Sequence, residues 1–160
     1  MFKRERRIIM NFPEKYIKMC KETEEIQALC PKREDGNYIY AKKENNGWDI
    51  YITSSDFYWL DEYGNGKKAN KFVYKYWESD YPYYFSEWIW LPTQDQLQKI
   101  VKDRWSSWTE LLEEFGEYVK SRRWLDYTPE MYWLHFVMEK KFNKTWNEQK
   151  QKWEIIKNER

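Results

Sequence analysis

Histidine and cysteine are nearly absent: His135, Cys20 and Cys30 are the whole supply in 160 residues. A structural zinc site needs about four such ligands in close pairs, and three scattered residues do not provide one. The two cysteines stand ten apart in a stretch that reads as helix, about 15 Å along its axis. A disulfide needs Cα atoms within about 7 Å, so they read as two small hydrophobes in a reducing compartment. A surplus of one charge is also missing, since 28 Lys and Arg face 27 Asp and Glu. A dedicated binder of duplex DNA would carry a clear basic excess. No run approaches the roughly 18–20 apolar residues of a membrane span. The opening MFKRERRIIM offers only Ile8, Ile9 and Met10 before Asn11-Phe12-Pro13, short of the roughly 7–15 apolar residues of a secretory signal. The expectation is a cytoplasmic protein with no membrane partner and no cofactor.

Aliphatic residues are scarce as well: Leu, Ile, Val and Phe together number 31. What replaces them is aromatic, with 8 Phe, 11 Trp and 14 Tyr making 21% of the chain. Disorder would require high net charge and few aromatics, and neither holds. Each aromatic side chain buries roughly 150–250 Å², enough for a few dozen to build the core of one domain.

Periodicity divides the chain in three. Residues 11–30 read as one amphipathic helix, capped by Asn11 or Phe12, with Pro13 and Glu14 in its first turn. Its buried stripe is Tyr16, Met19, Cys20, Thr23, Ile26 and Cys30, and Pro31 stops it. Residues 1–10 lack a packing pattern and read as a mobile basic extension, leaving 11–160 as a single domain. From Gly36 to Leu91 the period is two. Asn37–Ala41 and Trp48–Ile52 flank Asn45-Asn46-Gly47, a strong hairpin signal. Phe57–Leu60, Lys71–Trp77 and Trp88–Leu91 extend the strands, with a turn at Gly64-Asn65-Gly66. Thr93-Gln94-Asp95-Gln96 and Ser107-Trp108-Thr109-Glu110 are capping boxes. The second opens a helix with Trp108, Leu111, Leu112, Phe115 and Val119 on one face and Glu110, Glu113, Glu114 and Glu117 on the other. Thr128-Pro129-Glu130 opens a third helix whose run Met131–Met138 is apolar nearly all round, as in a central buried helix. Trp146 and Trp153 close the chain in a basic, Gln-rich tail. The order gives an α+β fold: a central antiparallel sheet, an N-terminal helix and a C-terminal cluster of about three helices.

Three words stand out: Phe12–Cys20 with Glu24-Glu25-Ile26-Gln27; Ile89–Gln98; and Trp133-Leu134-x-Phe136-Val137-Met138 with Lys144-x-Trp146. Together they resemble a family of small proteins encoded by phages and prophages, over roughly residues 11–153. The resemblance implies a gene context in which small proteins interfere with host pathways. It implies no activity.

Catalytic chemistry has little to stand on. His135 has the pKa of a general base, but no nucleophile motif accompanies it, and a packed mid-helix histidine is the plainer reading. A carboxylate pair such as Glu87 and Asp95 is unremarkable among 27 acids. The segment from Trp88 to Trp108 is richer. Trp88 and Trp90 share a strand face, Gln94 and Gln96 sit in the first turn of a capped helix, and Arg104, Trp105 and Trp108 follow. Aromatic faces, amides and a guanidinium suit a nucleotide, with stacking worth roughly 1–3 kcal/mol per base. Asp95 at the same helix start opposes a phosphate, and a core tryptophan pair beneath an ordinary cap accounts for the same residues. Lys120-Ser121-Arg122-Arg123-Trp124 reads as cations at a helix C-terminus, with a phosphate patch as the alternative. Lys140, Lys141, Lys144, Lys150 and Lys152, interleaved with glutamates, read as a solvated helix face.

The sequence therefore points to a non-catalytic binding protein of phage type, acting in counter-defence by holding a nucleotide-derived small molecule in an aromatic pocket. Its site would be Trp88, Trp90, Gln94, Gln96, Arg104, Trp105 and Trp108. The alternatives are an inhibitor docking on a host protein or defence complex, through exposed Trp, Tyr and Arg, and a binder of single-stranded nucleic acid. Self-association is compatible with each.

Overall fold

The structure, a computed structural model, describes residues 12–31, 36–43, 47–52, 57–61, 70–74 and 83–157. The expected basic extension at 1–10, Asn45 and Asn46 of the expected hairpin turn and the turn at 64–66 lie outside the described residues, as do Asn11 and the last three residues expected in the strand 71–77.

The N-terminal segment forms two helices rather than one, α1 (Glu14–Lys21) and α2 (Glu24–Ala28). The break has a local cause. The Cys20 carbonyl accepts from the Thr23 amide at 3.2 Å, the Thr23 hydroxyl at 2.9 Å and the Gln27 side-chain amide at 3.1 Å. Side chains that satisfy a carbonyl in this way compete with the next helical turn. The buried stripe survives the break, because Tyr16, Met19, Cys20, Thr23, Ile26 and Cys30 are all buried. Both cysteines are free thiols, and burial pushes the Cys20 thiol pKa far up.

Five strands follow: β1 (Tyr38–Lys43), β2 (Trp48–Ile52), β3 (Phe57–Asp61), β4 (Asn70–Tyr74) and β5 (Tyr83–Leu91). They form one antiparallel sheet in the order β2-β1-β5-β4-β3. The hairpin β1–β2 pairs Lys42 with Trp48 and Tyr38 with Ile52, as the Asn-Asn-Gly signal requires. Strand β5 begins at Tyr83, five residues before the expected Trp88, and runs between β1 and β4. Its last residues, Ile89, Trp90 and Leu91, are buried in succession, the mark of a strand covered on both faces.

The C-terminal helices are α3 (Gln94–Val101), α4 (Trp108–Arg122) and α5 (Pro129–Phe142), with a 3-10 turn at Lys102–Arg104. Each starts at a sequence-encoded cap. Thr93 and Gln96 form a reciprocal capping box, the Ser107 hydroxyl accepts from the Glu110 amide at 3.1 Å, and the Thr128 hydroxyl accepts from the Met131 amide. Helix α5 is the central one: Met131 and Trp133 to Met138 are all buried. Helix α1 packs on β5, and α3 packs on α5. The Tyr16 hydroxyl donates to the Pro92 carbonyl at 2.5 Å, fastening α1 to the β5–α3 junction.

The tail is not a solvated helix. Asn143 adopts a left-handed conformation (φ 54°) and ends α5. The chain then forms a second, two-stranded sheet of β6 (Lys144–Asn147) and β7 (Lys152–Ile155). Lys144 and Lys152 therefore belong to strands and Lys150 to the turn between them. Trp146 and Trp153 are cross-strand partners with ring centroids 5.3 Å apart. Both are buried, and the Trp153 indole donates to the Met19 carbonyl at 3.0 Å.

Candidate functional site

The segment from β5 to α4 carries all seven residues singled out from sequence, and the fold separates them. Trp90 is 2% exposed and belongs to the core. Strand β4 pairs with β5 only between Tyr83 and Phe85, and at Trp90 a side chain completes the hydrogen bonding. Gln27 Oε1 accepts from the Trp90 amide at 2.7 Å, and its Nε2 donates to the Trp90 carbonyl at 3.0 Å. Trp88, on the same side of the strand, is half-buried against the core.

At the start of α3, Gln94 is exposed, whereas Gln96 is committed at both ends of its amide. Its Oε1 accepts from the Thr93 N–H at 2.9 Å and its Nε2 donates to Asn37 Oδ1 at 2.6 Å. Asp95 accepts from the Thr93 hydroxyl and lies 3.6 Å from Lys99. The Thr93 bond, then the Lys99 charge, hold its carboxyl below the usual range, so this end of the helix carries a fixed negative charge. Arg104 donates to the Lys140 carbonyl in the last turn of α5, where a cation complements the helix dipole.

Trp105 stacks on Phe136 with ring centroids 5.6 Å apart, and its indole donates to Glu114 Oε2 at 2.6 Å. Glu114 also pairs with Lys140 at 2.5 Å, and these two contacts, the lysine first, keep its carboxyl below the ordinary range. Trp108 is 46% exposed, with the Lys102 ammonium 5.5 Å from its ring centroid.

Trp90 and Trp105 open onto different hollows. The first, about 440 Å³, is lined by Leu29, Pro31, Trp90, Thr93, Gln96 and Lys99 among others. The second, about 790 Å³, runs along α4 between Trp105, Leu112 and Gly116 and is walled by Glu110, Glu113, Glu114 and Glu117. Arg104 lines neither.

Helix α4 leaves part of its apolar face in water. Leu111 is fully buried and Phe115 packs on Trp133, but Trp108 and Leu112 are 46% and 51% exposed. The five apolar positions span an arc wider than the fold covers, so its outer edge is left in water. Leu112 and Gly116 are the site residues that sequence reasoning missed. Their signal was a patterned apolar arc too broad for one neighbour.

His135 is 1% exposed and packed. The Trp146 amide donates to its Nε2 at 3.3 Å, so Nε2 carries no proton. The proton on Nδ1 then points at the Tyr118 oxygen, 2.6 Å away, and the Tyr118 hydroxyl donates to Glu139 at 3.3 Å. Arg122 closes the chain with two bonds to Glu139, at 2.8 and 2.6 Å, so it is held by this network rather than presented in an open phosphate patch. Burial, with the Arg122 charge second, depresses the His135 pKa to about 3. A neutral, fully engaged imidazole is a structural element of the core.

Among the described residues no group of three or more His, Cys, Asp or Glu is arranged to hold a metal ion, and no helix is long and apolar enough to cross a membrane. No family model, curated protein or solved structure matches the chain.

Proposed function

We propose that this chain is a non-catalytic binding protein that docks on a partner protein through the outer edge of α4. The observation that carries the reading is the half-exposed pair Trp108 and Leu112, one helical turn apart, with Leu112 also lining an open groove. Tryptophan is among the residues that dominate binding energy at protein interfaces. The alternative, a nucleotide held by stacking, draws less support from the same geometry. The groove beside Trp105 is walled by four glutamates, which oppose a phosphate, and the amide of Gln96 is already spent. The resemblance to small phage and prophage proteins favours a host protein as the partner, in the host cytoplasm.

Native mass spectrometry of protein purified from bacterial cells, in wild-type form and as the Trp108→Ser/Leu112→Ser double variant, tests the reading. Both positions are half-exposed, so the variant should stay folded, with a midpoint lowered by several degrees at most. A protein partner held at fixed stoichiometry by wild type and lost in the variant supports docking. A nucleotide mass retained by both forms overturns it.

A further inference from the structure

We infer that the α4 edge receives a cationic amphipathic helix of the partner, seated across Gly116. The inference rests on the docking reading above and adds the chemistry of the partner.

Trp108, Leu112, Gly116 and Lys120 stand four residues apart and form one line along α4, about 18 Å long at 1.5 Å per residue. A line of i, i+4 side chains is a ridge of the kind that fits the groove of a second helix. Gly116 sits in the middle of it. Its φ is not positive, and a Cβ placed on it would meet nothing within 4 Å. Neither backbone conformation nor packing inside this chain calls for glycine there, yet glycine in a helix interior costs stability relative to alanine. What glycine supplies is close approach of another backbone.

Charge selects the visitor. Glu110, Glu113, Glu114 and Glu117 border the groove, against Lys120 within it, Lys140 on Glu114 and Lys102 over Trp108, which leaves the edge acidic by one charge. Glu114 is held by Lys140 and Trp105, Glu117 by Lys120 and Glu110 by Ser106, while Glu113 has no partner among the described residues. A second copy laid across the edge by two-fold symmetry would bring this acidic wall against itself. Nucleic acid and anionic lipid are repelled on the same grounds. A helix of about three turns, with Leu-type side chains over Trp108 and Leu112 and Lys or Arg flanking them, meets both the apolar line and the carboxylates.

The probe is a labelled 14-residue helical peptide of Leu, Lys and Ala, beside a counterpart with Glu in place of Lys, titrated by fluorescence anisotropy against the full chain. The lysine peptide should bind, with affinity falling about tenfold or more between about 0.05 M and 0.5 M salt. The glutamate peptide should not bind. Gly116→Leu fills the seat and should lower affinity at least tenfold at a melting temperature no lower than that of wild type. Glu113→Lys/Glu117→Lys should do the same. Equal binding of the two peptides, or lysine-peptide binding indifferent to Gly116→Leu, overturns the inference. If the lysine peptide fails while Trp108→Ser/Leu112→Ser still abolishes partner capture, this inference falls and the docking reading stands. If capture is also unaffected, both fall.

Discussion

Lowering the pH should destabilise this protein well before its carboxylates titrate, and His135 is the reason. In the folded state its pKa lies at about 3, against about 6.5 in an unfolded chain. Between those values the unfolded chain binds a proton that the folded chain refuses, so stability falls as pH falls, by about 1.4 kcal/mol per unit. At pH 5 the loss is about 2 kcal/mol, and by pH 3 about 4 kcal/mol, close to the whole stability of the less stable domains. The carboxyls of Glu25, Asp95, Glu114 and Asp126 are held low by their partners, so they add losses of the same sign. Those losses begin near the unfolded carboxyl range of about 4. The interval from pH 6.5 to 5 therefore isolates the histidine, and the chain holds only one. Urea unfolding at half-unit pH steps measures the slope directly. His135→Gln, which keeps a hydrogen-bonding side chain but cannot titrate, should be less stable at pH 7 yet nearly flat over the same interval. A wild type that is flat there, or a variant with the wild-type slope, would refute the reasoning.

Three further expectations concern stability. Gly116→Ala should raise it by about 0.5–1 kcal/mol, because the new methyl group meets nothing and the helix gains propensity; differential scanning calorimetry reads this as a higher midpoint. Gln27→Ala should cost about 1–3 kcal/mol for each buried group it strands, the Trp90 amide and carbonyl foremost, and a change below about 0.5 kcal/mol in denaturant unfolding would show that these groups find other partners. Trp90→Leu should cost about 2–4 kcal/mol as a core truncation, whereas Trp108→Leu should stay within about 0.5 kcal/mol, so thermal melts of the two variants rank buried against exposed tryptophan.

The sequence disclosed those parts of the fold whose signals are local and repeated. The Asn-Asn-Gly hairpin, the three helix caps and the apolar run of α5 each rest on residues a few positions apart, and each is where periodicity puts it. The buried stripe of the N-terminal segment was legible, but its break was not, because Thr23 and Gln27 turn back onto one carbonyl. The β6–β7 hairpin escaped notice because its turn has no glycine. Asn147 accepts from the Gln149 and Lys150 amides instead, and Gln151 takes the left-handed conformation at φ 53°. For the candidate site, the residue types were legible and their exposure was not. Whether Trp90 or Trp108 faces water depends on what distant elements cover, and no spacing within β5 or α4 encodes that.

The indole of Trp153 reaches a carbonyl 134 residues earlier in the chain, and Lys144 pairs with Glu25 across 119. During synthesis α1 emerges well before the C-terminal hairpin whose Trp153 helps to hold it. Until that hairpin is made, the apolar stripe of α1 lacks its cover. An isolated eight-residue helix is marginal in water, so through that interval it is a site for chaperones or for premature association. A stop codon a few residues before Trp153 would therefore be felt first at Met19, 134 residues earlier in the chain.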